Sequence, residues 1–478
     1  MSSIPSAFLR SLFFWSMAAQ AWSSPGSVDL AHAHEIDHRA HELHRVSAEG
    51  VLILHGSFGL LVSEDHGNVW QWICPEAIDG FINGRLATTA LLDDGSLWMD
   101  STFGLYKSAA LGCDFAADEL GSVTTHVQRI DSDTVWVASA SFGEENHVHG
   151  LSTSGTVWKI APVLPTDFAA LRFAFHAPAA VPEGPSISVP NSVFVGGMLG
   201  AAPALLSFDR PQLDPPTSDH NSSESPEGTW SSVAVPPVPE ANHRLYLLGI
   251  DALDRVWVRY RLGDRDLVYF SDDAAFQSDP GWVLAADLSS EPGTANRAFA
   301  FAESEFGIFF GNRTEGLFFF DHVDSVVASL NAEIKVSCAM VQEEELWLCV
   351  DPIEQGHLLL RTSVRDPWGK PPVRQLFVDQ IAGVRSCGGR VERICDRALF
   401  EDLILDLGGS LEDGPDATSP PNVNNEDATD SVVAGEGSVG GEGCAAAGKG
   451  AGLSPPWLCL AMIFVPRVRP VSKGLRSG

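Results

Sequence analysis

The chain has 478 residues, 62 acidic against 30 basic, and a formal net charge of −32. With 45% of its residues apolar it can bury a sizeable core, which excludes wholesale disorder. The negative surplus repels phosphate backbones and argues against nucleic acid as a partner, and no apolar run reaches the ~18 residues of a membrane-spanning helix.

Residues 1–21 read as a secretory signal. Arg10 precedes a mostly apolar stretch over residues 12–22, and Ala19 and Ala21 are the small residues a signal peptidase needs. Export predicts an oxidising destination, extracellular or at the cell envelope, which the eight Cys suit. Residues 22–45 form a His-rich lead-in holding His32, His34, His38, His41 and His44. His34-Glu-Ile-Asp-His38 matches the spacing of the zinc-protease helix motif, with His41 nearby. That chemistry needs a rigid helix, a third ligand and a cleft around the water, and this segment precedes the folded region. The sequence therefore assigns no metal, cofactor or catalytic residue; His34, His38 and His41 are the only metal-binding candidates.

From residue 46 the chain repeats itself. A strand core of three apolar residues recurs as Leu52-Ile53-Leu54, Leu97-Trp98-Met99, Val135-Trp136-Val137, Val193-Phe194-Val195, Val256-Trp257-Val258, Ile308-Phe309-Phe310 and Leu346-Trp347-Leu348. A second signal follows each, as in Gly59-Leu-Leu-Val-Ser63, Gly104-Leu-Tyr-Lys-Ser108 and Gly316-Leu-Phe-Phe-Phe320. The core middles run from 53 to 347, six intervals over 294 residues and a mean of 49. Repeats of ~40–50 residues with several short strands each are the spacing of β-propeller blades. The segments lack the 3.6-residue period of helical repeats. The expected fold is all-β, a propeller over 46–385 with seven blades, six or eight being the alternatives.

One repeat carries a sharp motif. Ser63-Glu-Asp65-His-Gly67-Asn-Val-Trp70 fits Ser-x-Asp-x-Gly-x-x-Trp, with decayed copies at Ser154-Gly-Thr-Val-Trp158 and Asp366-Pro-Trp368. The spacing is that of a turn: a short carboxylate accepts backbone N–H groups, Gly takes a positive φ, and Trp packs back on the sheet. Ser63, Asp65, Gly67 and Trp70 therefore read as structural.

Six of the Cys fall in or beside the repeats: Cys74, Cys113, Cys338, Cys349, Cys387 and Cys395. Proximity suggests Cys74 with Cys113, Cys338 with Cys349, and Cys387 with Cys395 stapling a short helical cap over 386–408. No Cys-x-x-Cys spacing supports a zinc site. Tyr260, between Arg259 and Arg261, reads as part of an exposed strand whose alternate residues face opposite ways. Pro-rich segments at 177–190 and 209–228 are insertions that shape a face. Residues 409–450 form a Gly/Ser/Asp linker, and 451–478 an apolar-basic tail.

The Asp-box motif is the one found in sialidase-like propellers. Phe58 to Asp65, Trp72-Ile-Cys74 and Gly104-Leu through Gly112-Cys113 resemble exported myxobacterial Asp-box (BNR) repeat proteins. The order Cys444, apolar run 457–465 and Arg467, Arg469, Lys473, Arg476 resembles their C-terminal sorting tail, although nine apolar residues give at most a slight membrane association. The resemblance implies a secreted or surface propeller of no established activity. The expected function is a monomeric, non-enzymatic scaffold binding a protein or glycan. A sialidase-like hydrolase and an envelope-complex assembly factor are the alternatives. The hydrolase needs an Arg cluster and a Tyr–Glu pair, while the sequence offers four Tyr and a charge ill suited to an anionic sugar.

Overall fold

The computed structural model describes residues 39–46, 50–78, 87–101, 103–118, 120, 123–139, 145–176, 192–200, 202–209, 228–238, 244–271, 281–290, 299–365 and 373–410. All belong to the first of two compact units, residues 1–419. The signal segment, His34, His38, the core of both Pro-rich insertions, and nearly all of the linker and tail lie outside the described residues.

Seven antiparallel meanders of four strands each make a seven-bladed propeller, as the repeat spacing predicts. Blade I holds β1 (Ala40–Val46), β2 (Val51–Gly56), β3 (Gly59–Ser63) and β4 (Trp70–Ile73); blade II holds β5 (Thr89–Leu91), β6 (Leu97–Ser101), β7 (Gly104–Ser108) and β8 (Ala116–Ala117). Blade III holds β9 (Thr124–Arg129), β10 (Thr134–Ser139), β11 (Val148–Ser152) and β12 (Val157–Lys159). Blade IV holds β13 (Phe168–His176), β14 (Ser192–Leu199), β15 (Ala202–Asp209) and β16 (Ser231–Val233). Blade V holds β17 (Arg244–Ile250), β18 (Val256–Leu262), β19 (Arg265–Ser271) and β20 (Trp282–Ser289). Blade VI holds β21 (Ala300–Glu303), β22 (Gly307–Asn312), β23 (Gly316–Asp321) and β24 (Val327–Asn331). Blade VII holds β25 (Val336–Gln342), β26 (Glu345–Val350), β27 (Leu359–Ser363) and β28 (Val373–Leu376). The first strand of each blade faces the axis, and β1 lies beside both β5 and β25, which closes the ring. The propeller thus begins at Ala40 rather than 46, and His41 and His44 sit on its innermost strand instead of in a solvated lead-in.

Each blade packs against a neighbour on both faces, so its second strand is buried on both sides and reads as a continuous apolar run. Every residue of β2 and β10 is buried. Trp257 on β18 shows how tightly the stack is filled: its ring meets Phe270 of its own blade at 5.1 Å and Phe301 and Phe320 of blade VI at 6.0 and 5.0 Å. The glycine opening the third strand is demanded by geometry. Gly59 has φ +99°, and a Cβ there would lie 2.2 Å from the Ile73 carbonyl of the outer strand.

The turn after β3 is closed by side-chain and backbone hydrogen bonds. Gly67 N donates to Ser63 Oγ at 2.9 Å, Val69 N to Asp65 Oδ1 at 2.9 Å, and Trp70 Nε1 to the Gly67 carbonyl at 3.0 Å. The same device follows β7, where Gly112 N donates to Ser108 Oγ at 2.9 Å and Ser108 Oγ to Asp114 at 2.8 Å. In that copy the Asp comes after the Gly, which departs from the Ser-x-Asp-x-Gly spacing.

Closure comes from the C-terminal end. After blade VII, β29 (Ile381–Val384) adds to the outer edge of blade I, parallel to β4. Helices α1 (Arg390–Ile394) and α2 (Arg397–Asp406) follow, and Val391, Leu403 and Leu407 join the core around Trp72. Glu392 folds back to accept the backbone N–H groups of Cys387, Gly388 and Gly389 at 2.6–2.8 Å, which holds its carboxyl at about 2. Two disulfides lock this clasp: Cys74 with Cys395 and Cys113 with Cys387. Proximity along the chain suggests other partners for these four cysteines, because it takes no account of the chain returning to blades I and II. Cys338 and Cys349 do face each other across β25 and β26.

Candidate functional site

The central channel is the candidate site. A cavity of about 370 Å³ is lined by residues of all seven inner strands. A second of about 400 Å³ at one end shares Leu43, His44 and Arg129 with it.

The inner strands are not regular. Relative to their hairpin partners, β1, β9, β13, β17 and β25 each carry one extra residue: His41, Thr125, Leu171, Leu248 and Ser337. A bulge of this kind re-aims the side chains around it. Pairing then sets Glu42 opposite His55, His126 opposite Ala138, Arg172 opposite Gly196 and Tyr246 opposite Arg259. Each partner lies two residues past the central residue of its strand: Ile53, Trp136, Phe194 or Trp257. Glu42, His126, Arg172 and Tyr246 therefore occupy one level of the channel, and all four line the cavity.

Glu42 is gripped from blade II. Thr89 N and Oγ1 donate to Oε2 at 2.6 and 2.7 Å, His44 Nε2 stands 3.5 Å from the same oxygen, and His55 Nδ1 4.0 Å away. Burial alone would raise its pKa, but His44, His55 and Thr89 outweigh burial and hold the carboxyl at about 2. The carboxylate is thus ionised at neutral pH. Burial pushes His55 down to about 4, and His41 falls well below its ordinary value for the same reason, aided by His55. His126 is only 4% exposed, and burial with the nearby Arg172 charge lowers it to about 3. Its Nδ1 is closed off from solvent and has no hydrogen-bond partner among the described residues.

Two guanidiniums lie near this level and differ in company. Arg259, buried, binds Asp266 through Nη2 at 2.7 Å and Nε at 2.8 Å, and stacks over Phe299 at 4.6 Å. Arg172 feels the pull of Glu42 and the repulsion of Arg259, yet makes no salt bridge with a described residue. Burial lowers its pKa as well.

Of the residues the sequence singles out, His41 reaches the channel, whereas His34 and His38 lie outside the described residues. Among the described residues no three His, Cys, Asp or Glu side chains form a metal-binding group. Ser63, Asp65, Gly67 and Trp70 make a turn between the two outer strands of blade I. Tyr260 is not on an exposed strand: it is fully buried between blades, edge-on to Tyr269 at 6.3 Å. Nor do the described residues assemble the hydrolase constellation. Glu42 contacts His44 and Thr89 rather than a tyrosine, and Arg129 is spent on Asp93 at 2.8 Å. Sequence reading missed Glu42, His126 and Arg172; the polar residues inside the otherwise strand-like Ala40-His-Glu-Leu-His-Arg-Val46 were the available signal.

These features define a disulfide-clasped seven-bladed β-propeller with a polar central channel. Among solved structures the chain is similar to YCF48 from Cyanidioschyzon merolae, at 11% identity over 71% of this chain and 85% of that one, TM-score 0.34. It is similar to BamB from Moraxella catarrhalis at 11% identity over 65% and 81%, TM-score 0.35. A puromycin-hydrolyzing peptidase from Mycobacterium tuberculosis gives 9% identity, TM-score 0.41, over 76% of this chain and 56% of that one. At such identities the likeness concerns the fold alone. No family model and no curated protein matches the chain.

Proposed function

We propose that the protein is an exported, non-enzymatic propeller scaffold, secreted or at the cell surface, that binds a protein or glycan partner or a smaller ligand without converting it. The observation that carries this reading is the clasp: two disulfides join residues 321 and 274 positions apart and tie the last segment to blades I and II. Such bonds persist in oxidising compartments and hold the ring as a rigid platform. The channel supports the second half of the reading. Oε2 of its ionised carboxylate is held by Thr89 N and Oγ1, and the same Thr89 hydroxyl stands 2.7 Å from His44 Nε2, so that this hydroxyl serves as a donor within the Glu42 network. The test is to incubate the purified oxidised chain with a glycan array and with fluorogenic sialosides and other glycosides. Retention without release of fluorophore supports the reading. Release that survives purification, and falls when channel residues are changed, refutes it.

A further inference from the structure

Arg172 poses a question that the channel does not answer by itself. Its guanidinium is partly withdrawn from water, lines the cavity and makes no salt bridge with a described residue, and a guanidinium so placed gains from an anionic partner. The bulge at Leu171 turns this residue to the level of Glu42, three blades away around a ring of seven and so nearly opposite. Glu42 is committed on one oxygen only: Thr89 and His44 crowd Oε2, and no described donor meets Oε1. Beside Arg172, the buried His126 lines the same cavity, and burial with the Arg172 charge keeps its ring neutral. The wall on blades V and VI is aromatic, with Tyr246, Phe299 and Phe301. One level of one cavity therefore holds an open cation, an open carboxylate oxygen across from it, and an aromatic surface between.

We propose that the channel binds a small zwitterion of the amino-acid class, its carboxylate on Arg172, its ammonium on Glu42, and an apolar side chain against Tyr246 and Phe299. The assignment rests on the reading of the channel as a binding rather than a converting site. A cavity of about 370 Å³ is within the range of small-ligand pockets, ~300–1,000 Å³. The fork of Arg172 matches a carboxylate in geometry as well as charge. A simple anion satisfies Arg172 but meets the repulsion of Glu42, and a simple cation meets that of Arg172. Only a molecule with both charges answers both groups.

Isothermal titration of the full oxidised chain at pH 7.5 tests this with L-phenylalanine, glycine, 3-phenylpropionate and phenethylamine as probes. L-Phenylalanine binds, glycine binds more weakly, and the two singly charged analogues bind at least ~10-fold more weakly than L-phenylalanine, a difference of ~1.4 kcal/mol. Arg172→Gln and Glu42→Gln each weaken L-phenylalanine at least ~10-fold, and Glu42→Gln leaves 3-phenylpropionate unchanged or improved. Arg172→Lys, with folding checked by circular dichroism, serves if Arg172→Gln does not fold. No heat from L-phenylalanine at millimolar concentration overturns the proposal, as does equal binding of 3-phenylpropionate or undiminished binding by the variants. Chemical conversion of a bound probe overturns instead the non-enzymatic reading beneath it, so the two failures are distinguishable.

Discussion

The clasp makes a quantitative prediction because its two disulfides are nested. In the loop-entropy account a cross-link stabilises by restricting the unfolded chain, in proportion to the logarithm of the loop it closes. Breaking Cys74–Cys395 by paired Cys→Ala changes does not release its whole 321-residue loop, because Cys113–Cys387 still ties the same ends together. What is freed is the 39 residues from Cys74 to Cys113 and the 8 from Cys387 to Cys395. A loop of that size corresponds to ~4 kcal/mol, and breaking the other pair alone gives the same figure. Removing both opens the 321-residue loop as well, for a total of ~10 kcal/mol, about 2 more than the two single losses together. That total is comparable to the whole stability of an ordinary domain. The Cys338–Cys349 pair, closing 11 residues, is the control at ~3 kcal/mol. Urea unfolding followed by tryptophan fluorescence measures each single loss, and the four-Cys variant is expected to lose its cooperative transition. A four-Cys variant that unfolds cooperatively with a loss no greater than the sum of the singles would refute the nested-loop argument.

What the sequence revealed follows burial. The second and third strands of all seven blades were legible because both faces are covered by neighbouring blades, which writes apolar triplets such as Val135-Trp136-Val137 into the chain. The outer strands were not legible. Ala116–Ala117 is two exposed residues and owes its place to β7 rather than to its own pattern.

The inner strands failed for a reason tied to the site. They present one side to a polar channel, so β1 reads Ala-His-Glu-Leu-His-Arg-Val and β9 reads Thr-Thr-His-Val-Gln-Arg. Their bulges also break the two-residue alternation that marks a strand. The features that hid these strands, polar residues and an extra residue in the pairing, are the ones that set Glu42, His126 and Arg172 at one level. The cysteine pairings failed differently. Proximity in sequence carries no information about where the last segment returns, and only the hairpin pair Cys338–Cys349 is local.

Three further outcomes are expected. Ser63→Ala removes the acceptor of Gly67 N and the donor to Asp65, costing ~1–2 kcal/mol in urea unfolding; Ser108→Ala should cost as much, and a loss in only one of them contradicts the equivalence of the two turns. Asp266→Asn strips Arg259 of its buried counter-ion and should cost ~3–5 kcal/mol, while Arg259→Met combined with Asp266→Leu costs far less; equal losses would argue against a desolvated charge. The last prediction concerns pH. Glu303, beside Asp251 and Arg255 and 3.9 Å from His322, is raised from 4.5 to about 7, by burial first and then by the Asp251 charge. A carboxyl whose folded pKa lies above its unfolded value contributes stability that is complete below pH ~4.5 and is lost as pH rises through ~7. The full shift would correspond to ~3.4 kcal/mol, but the side chain is 33% exposed, and solvent screening reduces this to ~1–2 kcal/mol. His322, whose pKa is lowered by burial, acts in the opposite direction, because it loses stability as pH falls. The difference between wild type and Glu303→Gln isolates the carboxyl, since His322 is common to both. Urea midpoints at pH 5 and pH 8 should show Glu303→Gln gaining on the wild type at the higher pH; a difference that does not change with pH would mean that Glu303 ionises freely in the fold.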